Sequence, residues 1–100
     1  MITTVTKDNF DKEITESKEA VLVDFRAARC MRCKMLSPVI DAVAEERKDV
    51  KICKINIDEE QELAIRFGIM SIPTVMVFKG GKVAGKSIGL VSKEEILSLL

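Results

Sequence analysis

The feature that most limits the fold of this chain is the apolar run AVLVDF, residues 20–25, which leads into a closely spaced cysteine pair, Cys30 and Cys33. The run is apolar without alternation, which is typical of a strand buried on both faces of a sheet. Beyond the cysteines, apolar residues recur at helical spacing to about residue 47. A strand followed at once by a helix indicates an α/β fold, and open α/β sheets carry their sites at the carboxyl ends of such strands.

The rest of the chain supplies four more strands and three more helices. The strands are predicted at residues 2–5, 50–57, 74–78 and 82–88, and the helices at residues 8–16, 58–68 and 92–100. Capping-box spacings, Asp58 with Gln61 and Ser92 with Glu95, mark the starts of the last two helices. We therefore expect one domain over residues 1–100, with a mixed sheet between helices on both faces.

Composition excludes several classes of protein. The chain has 100 residues, of which 47% are apolar and 32% charged, as in a folded globular protein rather than a disordered one. Its 16 basic and 16 acidic residues cancel, so no overall charge favours nucleic acid or an anionic membrane as a partner. No apolar run approaches the ~20 residues of a membrane helix. The first residues lack the pattern of a signal peptide, which favours a cytoplasmic location.

Three cysteines and no histidine restrict the chemistry of the cysteine pair. A structural zinc site needs four such ligands, so we expect no metal. The odd number of cysteines argues against a disulfide framework, and Cys53 lies in an apolar stretch that suits a core residue. A redox dithiol is the favoured interpretation, with two unrelated free cysteines as the simple alternative.

Cys30 is expected at the N-terminus of the helix, where unpaired backbone N–H groups and the helix dipole stabilise a thiolate. Cys33, three residues further on, faces the same side and lies within reach of a disulfide. The arrangement predicts that Cys30 is the attacking thiol and Cys33 the resolving one.

Asp24 interrupts the buried strand, where an ionised carboxylate is costly. Burial raises the pKa of such a group and would allow it to take a proton from Cys33, through water, during turnover. The structural alternative is an ion pair with Lys54 on the neighbouring strand, and the two roles are compatible.

These residues fall into a known pattern. The sequence resembles the thioredoxin family over essentially its whole length, with Asp-Phe before the CxxC pair, then K-x-N-x-D, S-I-P-T, F-K-G-G and a late glycine. The resemblance implies the thioredoxin fold, an α/β fold with a central mixed five-stranded sheet in the order 1-3-2-4-5 flanked by four helices. It also implies a protein-disulfide oxidoreductase that needs no cofactor and receives electrons from a thioredoxin-reductase-type donor.

The resemblance assigns roles to individual residues. It implies that Asp24 is the buried acid, that Lys54 is its neighbour, and that Pro73 is cis beside the cysteines. The backbone of Ile72 would pair with a substrate chain, and Gly89 would lie by the same groove. The expected substrates are disulfide-containing proteins, and the expected oligomeric state is a monomer.

The chain departs from the family around the cysteines. Arg26 and Arg29 stand where two tryptophans are expected, and Met31-Arg32 replaces Gly-Pro. Arginines near Cys30 favour its thiolate and so make the disulfide more oxidising. We expect Arg29, Met31 and Arg32 to belong to a more charged substrate surface, and the protein to be a weaker reductant than a Gly-Pro member of the family.

Three functions stay open at this point. The leading hypothesis is a thiol–disulfide oxidoreductase acting through Cys30 and Cys33. A binding module that kept the fold but lost redox turnover is the second, motivated by the missing tryptophans. The third is an iron–sulfur cluster shared between two chains.

Overall fold

The computed structural model describes residues 2–100 and contains nine regular elements within them. The strands are β1 Ile2–Thr4, β2 Val21–Arg26, β3 Lys51–Asn56, β4 Thr74–Lys79 and β5 Lys82–Ile88. The helices are a π-helical segment Asp11–Thr15, α1 Met31–Glu46, α2 Gln61–Arg66 and α3 Lys93–Leu97. Within this part of the chain no helix has the length and apolar character needed to cross a membrane.

The strands form one sheet in the order β1-β3-β2-β4-β5, which confirms the predicted topology. β3 runs parallel to both β1 and β2. Between β2 and β3, α1 carries the chain back to the end of the sheet at which β2 begins, as a parallel connection requires. β4 and β5 are antiparallel to their neighbours and are joined by a tight turn at Gly80 and Gly81. Both glycines have positive φ angles, of 59° and 79°, which side chains with a Cβ rarely adopt.

Successive residues of the central strand β2 pack into different cores, as predicted for a strand buried on both faces. Val23 and Phe25 face a core that also holds Phe78, while Leu22 faces a second core formed with α1 and α3. Asp24 alternates with Val23 and Phe25, so its side chain points to the face that carries α1. A carboxylate is thereby placed between the sheet and the helix that begins at the cysteine pair.

The first predicted helix is much shorter than expected, and its segment Asp11–Thr15 is a π-helix. The preceding residues form a local turn instead of a helical one. Asn9 Oδ1 accepts a hydrogen bond from the Thr6 N–H at 2.7 Å, and Thr6 Oγ1 accepts one from the Asp8 N–H at 3.2 Å. Side chains that bind nearby backbone groups in this way compete with helix formation.

The two predicted capping boxes have different outcomes. Ser92 is the N-cap of α3, and its hydroxyl accepts a hydrogen bond from the Glu95 N–H at 3.1 Å. The prediction for α2 is wrong, since its N-cap is Glu60 and no side chain caps it. Asp58 lies before the helix, and its carboxylate is bound elsewhere.

Candidate active site

The cysteine pair lies where β2 passes into α1. Cys30 and Cys33 are joined as a disulfide, with their Cα atoms 5.2 Å apart. Cys33 is 1% exposed, whereas Cys30 is only partly buried. A molecule arriving from solvent therefore meets the sulfur of Cys30 first.

Cys30 is also the N-cap residue of α1. Its backbone is extended, and its Sγ atom accepts a hydrogen bond from the Cys33 N–H at 3.1 Å. One of the unpaired N–H groups of the first turn thus points at the sulfur, as a serine or aspartate cap would be bound. The same N–H and the helix dipole stabilise negative charge on Sγ once the disulfide is reduced.

The loop before β4 lies against the cysteine pair. The Ile72–Pro73 peptide bond is cis, and the Ile72 carbonyl oxygen is 4.0 Å from Cys30 Sγ. The Gly89 N–H donates a hydrogen bond to the Pro73 carbonyl oxygen at 2.8 Å. The structure therefore brings Ile72 to Cys30 and binds Gly89 to Pro73, although these residues lie about 40 to 60 residues from Cys30 in the sequence.

Asp24 is 1% exposed, and neither of its carboxylate oxygens has a hydrogen-bond partner. Burial raises its pKa from 3.8 to about 6, although the charges of Lys54 and Arg26 oppose the change. A carboxyl group with this pKa exchanges protons near neutral pH.

Lys54 is the neighbour of Asp24 but does not form the ion pair of the structural alternative. The two residues are opposite each other in the parallel register of β2 and β3. However, the Lys54 ammonium lies 3.4 Å from the hydroxyl of Ser37 on α1, to which it donates. The long side chain extends past Asp24 towards the helix, so Lys54 acts on the carboxylate through its charge alone.

Arg29 is held by an acidic residue that the sequence analysis did not connect with it. Its Nε and one terminal nitrogen donate to the two carboxylate oxygens of Asp58, at 3.0 and 3.1 Å. Asp58 lies just after β3, beside the loop that follows β2. The sequence does place an acid, Asp58, at the carboxyl end of the strand that neighbours β2. Its interpretation as a helix cap left no reason to pair it with Arg29.

Two methionines expose apolar surface, one between the cysteines and one in the segment that leads to Ile72. Met31 lies between the cysteines and is 68% exposed, and Met70, two residues before Ile72, is 95% exposed. Arg32 is exposed and belongs to none of the ion pairs formed by residues 2–100. The surface around Cys30 therefore combines flexible thioethers with one arginine that is free and one that is bound.

Comparison with known proteins agrees with this geometry. The family model for thioredoxin matches residues 1–100. The chain belongs to the thioredoxin family. It is 47% identical over 98 residues to a thioredoxin of Rickettsia felis, an alignment that covers 97% of this chain and 93% of that protein. It is 39% identical over 100 residues to a thioredoxin of Pseudomonas aeruginosa, covering 99% and 93%.

This family membership and the bonded CxxC pair make the protein a thiol–disulfide oxidoreductase. They do not favour the two alternatives, a redox-inactive binding module and an iron–sulfur-bridged dimer.

A third thiol, Cys53, is fully buried in the aromatic core. Burial raises the pKa of Cys53 to about 11, which keeps this thiol protonated and unreactive.

Proposed function

We propose that Cys30 and Cys33 reduce protein disulfides by dithiol exchange. The Cys30 thiolate attacks one sulfur of the substrate disulfide, and the other sulfur leaves and takes a proton. Cys33, deprotonated, then attacks Cys30 Sγ, which releases the second substrate sulfur as a thiol. Two electrons and two protons pass to the substrate, and the Cys30–Cys33 disulfide remains. The observation that carries this proposal is the partly exposed sulfur of Cys30 at the N-cap of α1, bonded to a buried Cys33.

Asp24 is the proposed proton acceptor for Cys33. It shares the sheet face on which α1 packs, and it has no fixed hydrogen-bond partner to satisfy its charge. A buried thiol must lose its proton before it can attack, and a carboxylate with a pKa of about 6 can accept one, directly or through water. Lys54 moderates the pKa of Asp24 from the neighbouring strand.

The proposed substrate surface surrounds Cys30. Ile72, next to the sulfur, offers backbone groups for an extended substrate segment, and Pro73 and Gly89 shape the groove beside it. Met31 supplies an adaptable apolar contact in place of a flat aromatic ring. Arg32 adds a positive charge that favours acidic substrate segments.

We also propose that residues 1–100 act as a single monomeric domain in the cytoplasm, because a dithiol that donates electrons needs a reducing compartment. The electrons come from a partner of the thioredoxin-reductase type, as the family implies, and no resident cofactor takes part. The two cores lie on opposite faces of one sheet, which supports one domain.

Catalysis is tested by the reduction of insulin with dithiothreitol near neutral pH. The protein in catalytic amounts is expected to accelerate the precipitation of the insulin B chain well above the rate with dithiothreitol alone. A folded protein that gives no acceleration would contradict the proposed function.

The Met31-Arg32 pair is expected to make this protein a weaker reductant than a Gly-Pro thioredoxin. Arg32 favours the Cys30 thiolate and therefore the reduced form. In the double variant Met31→Gly/Arg32→Pro, the equilibrium with glutathione should shift about three- to tenfold towards the protein disulfide. Lys48→Gln, which removes an exposed cation beyond the far end of α1, is the control and should leave the equilibrium unchanged. An unchanged equilibrium in the double variant would contradict this role for the motif.

A further inference from the structure

The Arg29–Asp58 pair is the one ion pair of residues 2–100 that includes a direct sequence neighbour of the attacking cysteine. The guanidinium uses two nitrogens and both carboxylate oxygens, at 3.0 and 3.1 Å. Two parallel hydrogen bonds of this kind fix the orientation of an arginine far better than a single contact does. Arg29 precedes Cys30 directly, so its orientation decides how its charge acts on Sγ.

Asp58 is itself held in place by its own chain. Its N–H donates to Asn56 Oδ1 at 2.9 Å, and its carbonyl oxygen accepts from Gln61 Nε2 at 3.4 Å. Asn56 is the last residue of β3 and is paired with Arg26 at the end of β2. The backbone of Asp58 is therefore anchored beside the end of the sheet that also delivers Cys30, and its carboxylate binds Arg29 from that position.

We propose that Asp58 is a positioning residue for the redox pair: its carboxylate fixes the Arg29 guanidinium beside Cys30 and offsets its charge. The reactivity of Cys30 then depends on the pair as a unit rather than on Arg29 alone. The proposal rests on Cys30 being the attacking thiol. Arg29 and Arg32 then act on Cys30 differently, because of the two only Arg32 lacks a carboxylate partner among the described residues.

Other charged groups lie on the elements that adjoin the redox pair. They are Asp24 and Arg26 on β2, Arg32 and Lys34 on α1, and Lys54 on β3. These groups are the same in all the variants below, so a double-mutant cycle isolates the contribution of the Arg29–Asp58 pair.

The cycle consists of Asp58→Asn, Arg29→Gln and the double variant, each fully reduced and treated with iodoacetamide near neutral pH. Asp58→Asn leaves Arg29 uncompensated beside Cys30, so the alkylation rate should rise about two- to threefold at low ionic strength. Arg29→Gln leaves the carboxylate alone, so the rate should fall by a similar factor. The double variant should return close to the wild-type rate. Both single effects should shrink in high salt, because the pair is 66% and 48% exposed.

The equilibrium with glutathione provides a second readout, which a merely structural role would not move in opposite directions. Asp58→Asn should shift it towards the dithiol, and Arg29→Gln towards the disulfide. Asp58→Glu keeps the charge and should stay close to wild type. If Asp58→Asn does not fold, Arg29→Gln and Asp58→Glu still test the proposal.

The matched control is Asp49→Asn. Asp49 forms an equivalent two-bond pair with Arg47, at 2.9 and 2.9 Å, past the far end of α1. The 16 residues of that helix separate the pair from Cys30 by about 24 Å, so the alkylation rate should not change. If both single variants of the Arg29–Asp58 pair have unchanged alkylation rates while insulin reduction is intact, the proposed role of Asp58 is overturned and the proposed function stands. Loss of insulin reduction in the wild type would instead overturn the proposed function.

Discussion

Replacing Cys30 by serine is expected to lower the rate of insulin reduction to that of dithiothreitol alone. A hydroxyl group is not ionised near neutral pH and cannot form a mixed disulfide, so the first step of the exchange is lost completely. The fold should persist, because Cys30 is a partly buried N-cap residue and serine is a preferred residue at that position.

Cys53→Ala is the matched control for this variant, because it also removes one thiol. Cys53 is buried in the aromatic core on the face of the sheet opposite α1. Its replacement should lower the free energy of unfolding modestly and leave the rate of insulin reduction unchanged at a temperature where the variant is folded. Residual catalysis by Cys30→Ser, or loss of catalysis in a folded Cys53→Ala, would contradict the assignment of the attacking thiol.

Asp24→Asn is expected to stabilise the oxidised protein at neutral and higher pH. In the folded state the pKa of Asp24 is about 6, whereas its ordinary value, which applies in the unfolded chain, is 3.8. The folded state therefore holds its proton more tightly, and stability is lost as the pH rises from about 4 through about 6. The difference of about two pKa units corresponds to about 3 kcal/mol above that range. The gain in Asp24→Asn should be nearer 2 kcal/mol, because the buried amide also lacks partners.

The measurement is the free energy of unfolding in urea at about pH 4 and about pH 8. The linkage predicts the smallest difference between wild type and variant at the lower pH and the largest at the higher pH. Wild type and variant should differ little at the lower pH, and the variant should be the more stable at the higher one. Asp41→Asn, an exposed position on α1, is the control and should show no such change with pH. A stability difference that is the same at both pH values would contradict the buried, ionising carboxylate.

The same Asp24→Asn substitution should slow insulin reduction roughly tenfold. This is less than the usual contribution of a general base, because water can also accept the proton from Cys33. The step affected is the resolution of the mixed disulfide, so that intermediate should accumulate with the variant. A stabilised variant with full activity would contradict a role of Asp24 in turnover. Asp24 would then be only a buried charge that destabilises the fold.

The parts of the fold predicted best from the sequence are those with strong hydrophobic patterns. The continuous run at β2 identified a strand buried on both faces, and the helical spacing after it identified α1 within one residue at its start. The helix predicted at residues 8–16 is too long, and the observed helical segment is Asp11–Thr15. The hydrogen bonds of Thr6 and Asn9 form a turn that competes with the start of the helix. Such a competition depends on side-chain geometry, which periodicity does not record.

The redox cysteine pair was predicted from the sequence, but not all of the contacts around it. Cys30, Cys33 and Asp24 stand out in the sequence because their residue types conflict with, or exploit, the local structure. Asp58 did not, since an acid shortly before a helix has an ordinary explanation as a cap. The contact between Asp58 and Arg29 comes from the register of β2 and β3, over 29 residues of sequence.

The most direct test of the account is to identify the residue that carries a trapped substrate. Cys33→Ser removes the resolving thiol, so the attack by Cys30 should stop at the mixed disulfide. The reduced variant is mixed with insulin, the remaining thiols are blocked, and the covalent adduct is mapped by mass spectrometry without reduction. The account predicts one adduct, through Cys30. An adduct through Cys53, or no adduct from a folded variant whose Cys30 thiol still reacts with iodoacetamide, would contradict it.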